Sequence, residues 1–142
     1  MEQVAHVVDQ VRADVLGPRL AEDVVAMTAR AGIRLDYAPD SLALIDRIID
    51  GLRHTRPPAG GPVPPALRSF GAYAGEVLHR RAGAEWVDFD AAQREMFGQP
   101  FGIRTTDGRV WNPLGKAVKR YQAGTAESLL LFHLAVVGRA RG

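Results

Sequence analysis

The sequence predicts an α+β fold, with about six helices packed against a small antiparallel sheet of roughly three strands. Apolar residues recur at helical spacing in several separate segments. Two short β-prone runs flank Asp107-Gly108, a pair suited to the positive φ values of a tight hairpin turn. Gly17-Pro18, Gly32, Gly83 and Gly124 stand between the periodic segments, where one element ends and the next begins.

Residues 2–16 place Val4, Val7, Val8, Val11 and Val15 on one face, a helix that Gly17-Pro18 should stop. A second helix over 18–31 would turn Leu20, Val24, Val25, Met27 and Ala31 inward, so that residues 1–32 form an N-terminal helical pair. Ile33 to Tyr37 alternates and reads as an extended connector or a short strand. Asp40 or Ser41 caps a third helix with Leu42, Leu44, Ile45, Ile48, Ile49 and Leu52 facing the core. The Pro/Gly-rich stretch 54–65 is a loop within one domain spanning 1–142. A fourth helix covers 65–82 and a strand 84–89, while 90–96 reads as either a short helix or a loop. Strands at 101–106 and 109–112 precede a helix from Pro113 to about Gln122. A last helix runs over 126–137, with 138–142 a frayed tail.

A chain of 142 residues with 46% apolar and 24% charged content is long enough and apolar enough for a buried core. The absence of cysteine excludes disulfides, thiolate metal sites and a cysteine nucleophile. The N-terminus carries acids where a signal peptide needs basic residues, and no apolar run reaches membrane-spanning length, so a cytoplasmic protein is expected. Residues 1–50 hold nine acids against five arginines, and residues 51–142 hold seven acids against thirteen basic residues. Either the two halves dock with complementary faces, or the basic half meets an acidic partner.

Catalytic signatures are missing. There is no phosphate-binding glycine loop, no HExxH and no GxSxG, and the four histidines lack ligand spacing; neither a metal nor a cofactor is expected. Asp88 and Asp90 share one face of the predicted strand, which reads as a solvated face rather than a metal edge. Asp40, Asp46 and Asp50 on the third helix oppose phosphate binding, so nucleic acid is not expected as a partner.

The helix at 65–82 is the unusual element. Gly71 and Gly75 lie one turn apart, each costing about 1 kcal/mol against Ala in a helix interior. A bare stripe of this kind lets another element approach the backbone, and the chain's own sheet is the expected neighbour. Tyr73, Glu76, His79, Arg80, Trp86 and Trp111 form the candidate binding face, and Arg104, Lys116 and Arg120 a candidate site for an anion or an acidic partner. The two tryptophans also suit a role as anchors between sheet and helices.

Three stretches, LDYAPDSLALIDRIIDGLR (35–53), GAYAGEVLHRRAGAEW (71–86) and VWNPLGKAVKRYQAGTAESL (110–129), together resemble a family of small bacterial proteins classed as a domain of unknown function. That resemblance spans roughly residues 35–130 and implies a compact α+β fold, with no catalytic residues to transfer. The expected function is a non-catalytic protein-binding or regulatory domain, of which a toxin-immunity role is one version. The alternative is a small-ligand binder or an enzyme using Glu76 as acid or base, with His79 or Arg80 beside it. The sequence leaves the oligomeric state open.

Overall fold

The computed structural model describes residues 12–55 and 63–141. These form six α-helices and a three-stranded antiparallel sheet. In chain order they are α1 (Ala13–Arg30), α2 (Ser41–Thr55), α3 (Ala66–Ala82), β1 (Glu85–Asp88), α4 (Ala91–Phe97), β2 (Phe101–Arg104), β3 (Val110–Trp111), α5 (Pro113–Ala123), a 3-10 turn (Thr125–Glu127) and α6 (Leu129–Arg141). The strands lie in the order β1-β2-β3, with Trp86 opposite Ile103 and Ile103 opposite Trp111.

The hub is α3, which is buried without interruption from Phe70 to Leu78. A helix with no wet face is a core helix. One side carries Phe70, Tyr73, Ala74 and Val77 into a cluster with Leu42, Ile45 and Ile49 of α2 and Ala117 and Tyr121 of α5. Ala72 and Leu78 join a second cluster with Trp86, Phe101, Ile103, Leu114 and Val136. The two glycines decide how close its neighbours come. A β-carbon at Gly71 would lie 2.5 Å from the Leu114 Cα and the Pro113 carbonyl oxygen, and one at Gly75 would lie 2.5 Å from Trp86 Cη2. The stripe therefore receives the start of α5 at Gly71 and the sheet's tryptophan at Gly75. The expected sheet accounts for only half of it.

The N-terminal helical pair split at Gly17-Pro18 is corrected: α1 runs unbroken through both residues. Pro18 lies early in the described helix, and the carbonyl it leaves without an amide partner belongs to exposed Asp14, where water can satisfy it. Gly17 serves packing. A β-carbon there would lie 2.5 Å from the Trp86 indole, so the ring sits in a slot between Gly17 of α1 and Gly75 of α3. Ala13, Gly17, Ala21, Val24 and Thr28 are the buried positions of α1, whereas Met27 is exposed. The helix expected over 2–16 falls mostly outside the described residues, as does 56–62 of the Pro/Gly-rich loop; α2 extends to Thr55.

The two aspartates around β1 serve helix starts. Asp88 accepts the Ala13 N–H of α1 at 2.8 Å, standing in for a cap that Arg12 does not supply. Asp90 caps α4 in a capping box with Gln93, which resolves 90–96 as a helix. The hairpin turn is one residue longer than Asp-Gly alone requires. Gly108 N–H bonds back to Thr105 and only Gly108, at φ +86°, takes the left-handed conformation. The tail expected to fray from Gly138 continues as helix to Arg141.

An ionic junction buried between α2, α5 and α6 ties the acidic half of the chain to the basic half. Arg120, 3% exposed at its side chain, donates to Asp46 Oδ1 at 3.2 Å and to Asp50 Oδ1 at 2.8 Å. Asp46 also accepts from the Ser128 hydroxyl and from the Leu129 and Leu130 amides. A side chain from α2 thus supplies the acceptors that the first turn of α6 lacks. The Arg120 guanidinium holds the Asp50 carboxyl below its ordinary range.

His133 of α6 is 4% exposed, and its Nδ1 has no hydrogen-bond partner. Burial pushes its pKa below the ordinary value. The unfolded chain takes up a proton near pH 6.5 that the folded chain refuses, so stability is full above that pH and declines as the pH falls toward the folded pKa. Thermal melts at pH 7.5 and pH 5.5 should show a lower Tm in acid, and His133→Leu should flatten that difference. An unchanged slope in the variant would mean another group carries it.

Candidate functional site

The sequence-selected residues of α3 and β1 come together, but as a buried network. Glu76, 5% exposed, accepts the Trp86 indole N–H on Oε1 at 3.0 Å and the Arg80 Nε–H on Oε2 at 2.9 Å. Both carboxylate oxygens are engaged. The half-exposed Arg80 guanidinium lies 3.6 Å above the centre of the Tyr37 ring, whose other neighbour is the stacked Tyr73 ring at 4.9 Å. Tyr73 is fully buried, and burial raises its hydroxyl pKa, which keeps it neutral. Its oxygen accepts the Tyr37 amide at 2.8 Å and contacts Ser41 Oγ at 2.6 Å. Ser41 in turn donates to the Ala38 carbonyl, so the polar chain runs in one direction, from Tyr37 N–H through the Tyr73 and Ser41 hydroxyls to Ala38.

Tyr37 stands at φ +62°, the left-handed region that a bulky residue avoids at a cost of roughly 1–2 kcal/mol. Several contacts hold it there. Its amide meets Tyr73, its carbonyl accepts Arg81 Nε at 3.2 Å, and its ring lies between Tyr73 and Arg80. Two net hydrogen bonds at about 1 kcal/mol each, with a cation–π contact of about 0.5–1 kcal/mol, exceed the strain. The network therefore fixes one backbone conformation at the end of the 33–37 connector.

Two concavities flank that connector. On one side Val25, Ala29 and Gly32 of the α1 end, with residues 33–36, line a concavity of about 630 Å³. On the other, Arg34, Asp36, Ala38, Asp40, Ser41 and Leu44 line one of about 270 Å³. Ile33, Leu35 and Tyr37 turn inward while Arg34 and Asp36 are exposed, the alternation read in the sequence.

The remaining site residues lie elsewhere. His79 bonds the Ala84 carbonyl at 2.6 Å, closing the turn from α3 into β1. Trp111 donates to Thr105 Oγ1 and meets Phe132 edge to face. Arg104, Lys116 and Arg120 do not gather into one cationic surface. Arg104 pairs across the strands with Glu85, Lys116 pairs with Glu127, and Arg120 is consumed in the junction with Asp46 and Asp50. Sequence reasoning did not select Tyr37 and Ser41 as site residues. Their signal was the inward phase of Tyr37 in an alternating segment and the position of Ser41 at a helix start.

Among the described residues, no three His, Asp or Glu side chains gather closely enough to hold a metal ion, and no helix is long and apolar enough to cross a membrane. Comparison with protein-family models, with curated proteins and with solved structures finds no match for this chain.

Two substitutions separate the roles of Glu76. Glu76→Gln keeps an acceptor for the Trp86 indole and should lose less than about 1 kcal/mol of stability, because the ion pair it breaks has a solvated arginine. Glu76→Ala strands a buried N–H and should lose about 1–3 kcal/mol. Urea unfolding followed by tryptophan fluorescence measures both, and equal losses would show that the charge is the part that matters.

Proposed function

We propose that this chain is a non-catalytic binding domain that takes a protein partner along the connector between α1 and α2. The carrying observation is Tyr37, held in a strained backbone conformation beside two concavities by a network spanning α2, α3 and β1. Strain of this kind persists only where surrounding contacts overdetermine it, and it concentrates at binding and switching sites. Acid–base chemistry at Glu76 has less support. Both of its oxygens accept hydrogen bonds from the chain, and the Ser41 hydroxyl already donates to a carbonyl.

The larger concavity supplies the test. Ala29 is exposed on its wall, and Ala29→Arg would fill the space without breaking the helix. Capture from the native cell, quantified by mass spectrometry, should retain a partner on the wild-type chain that Ala29→Arg loses. Met96→Ser, at a 70% exposed position on α4, should retain it. A partner lost with Met96→Ser and kept with Ala29→Arg would move the site away from the connector.

A further inference from the structure

Two Asp-Gly bonds stand in this chain, Asp50–Gly51 and Asp107–Gly108. Glycine gives its amide no side-chain shield, so in an unfolded chain the amide nitrogen can attack the carboxyl that precedes it. A bond forms from nitrogen to Cγ, and one carboxyl oxygen leaves as water with the amide proton and the carboxyl proton. The product is a cyclic imide. Water then adds to the former main-chain carbonyl and opens the ring, so that the chain runs on through Cβ and Cγ as an isoaspartate. One water is lost and one returned, so the change needs no oxidant, reductant or cofactor.

The fold engages both reacting groups at each bond. Gly51 lies inside α2, where its N–H serves the helix ladder, and Asp50 Oδ1 accepts the Arg120 Nη1–H at 2.8 Å. Opening that bond means unwinding α2. At Asp107–Gly108 the lock is only an exposed turn. The Gly108 N–H donates to the Thr105 carbonyl at 2.9 Å. Asp107 Oδ1 accepts the Thr105 hydroxyl at 2.6 Å and the Arg109 N–H at 3.1 Å. The Thr105 hydroxyl, ahead of the Arg109 amide, holds the carboxyl below its ordinary range, in the ionised form that an amide attacks poorly. Thr105 itself is buried, and its Oγ1 accepts the Trp111 indole N–H at 3.0 Å. Its one proton then has two acceptors in reach, and Asp107 Oδ1 is nearer than the Arg109 carbonyl at 3.3 Å.

We infer that Asp107–Gly108 is a latent site of isoaspartate formation, kept shut by the hydrogen-bond relay that runs from Trp111 through Thr105 to Asp107. It stands apart from the binding role proposed above. The product adds one carbon to the main chain inside the turn that pairs Thr105 with Arg109, where β2 and β3 separate.

The full chain is incubated near neutral pH, folded and in denaturing urea, and isoaspartate at each bond is counted by peptide mapping with electron-transfer fragmentation. Both bonds should convert in urea. In the folded chain Asp107 should convert at least about tenfold more slowly, because reaction waits on local opening. Thr105→Val removes the hydroxyl and keeps the β-branch, and should speed conversion at Asp107 at least about threefold while Asp50, the internal control, stays unchanged. Thr105→Ser keeps the hydroxyl and should stay within about twofold of the wild-type rate. Trp111→Phe loses only the indole donor and should raise the rate at Asp107 alone, which tests the relay from its other end. Conversion at Asp107 as fast in the folded wild type as in urea overturns the inference. So does Thr105→Ser reacting as fast as Thr105→Val, or the absence of acceleration at Asp107 in both Thr105→Val and Trp111→Phe. Acceleration that Asp50 shares in both variants also overturns it, since unfolding of the whole chain, and not opening of the turn, would then set the rate.

Discussion

Asp46→Ala is expected to lower the unfolding free energy by about 3–5 kcal/mol, the cost of removing one partner from a buried ion pair. The loss has two sources. Arg120, enclosed at 3% side-chain exposure, would keep only Asp50 as a charged partner. The amides of Leu129 and Leu130 would lose their acceptors, unfastening the start of α6. Chemical denaturation of the variant measures the first, and exchange of the α6 amides the second. Replacing Asp46 and Arg120 together with apolar residues should cost less than Asp46→Ala alone, because no charge is then left buried without its partner. A double variant weaker than the single would show that the junction acts through helix capping rather than charge burial.

Gly71→Ala is expected to lose about 3 kcal/mol, against an intrinsic helix gain of about 1 kcal/mol. Two glycines in helices make the contrast. At Gly71 the added methyl would sit 2.5 Å from the backbone of Pro113 and Leu114, which no rotamer change relieves. At Gly51 of α2 it would meet nothing within 4 Å, so Gly51→Ala should be stabilising by about 0.5–1 kcal/mol. Opposite shifts of Tm in the two variants are the expected result. A Gly71→Ala melt at or above the wild-type Tm would mean that α5 can retreat from α3 freely. Gly75→Leu should also destabilise, since its first added carbon already meets the Trp86 ring.

The elements with one dominant local signal were legible in the sequence. The apolar stripe of α2, the glycine after α1 and α3, the strand at Trp86 and the Asn112-Pro113 start of α5 all appear where periodicity and capping chemistry place them. What was not legible was decided by contacts far along the chain. Gly17-Pro18 reads locally as a stop, yet the helix continues because Trp86 needs the bare surface of Gly17. Asp46 and Arg120 read as charged surface, although each stands three or four residues from buried apolar neighbours: Leu42 and Ile49 for one, Ala117 for the other. A charge in phase with an apolar stripe was the available signal. Of the candidate face, the proximity of Glu76, Arg80 and Trp86 was legible from spacing on α3 and the following strand. The burial of Glu76 and Trp86 was not, because it depends on α1 and the connector closing over them.

The Trp86 slot has a consequence for how the molecule assembles. Its walls are Gly17, near the start of the described chain, and Gly75, while its occupant belongs to a strand that lies beyond α3. On a ribosome α1 emerges before α3 and β1, so it meets its docking partner only once both have been made. The contact joins distant parts of the chain, so its loop closure precedes its reward. Docking of α1 should therefore be a late folding event, and indole fluorescence should report it as a phase separate from formation of the α3–α5 pair.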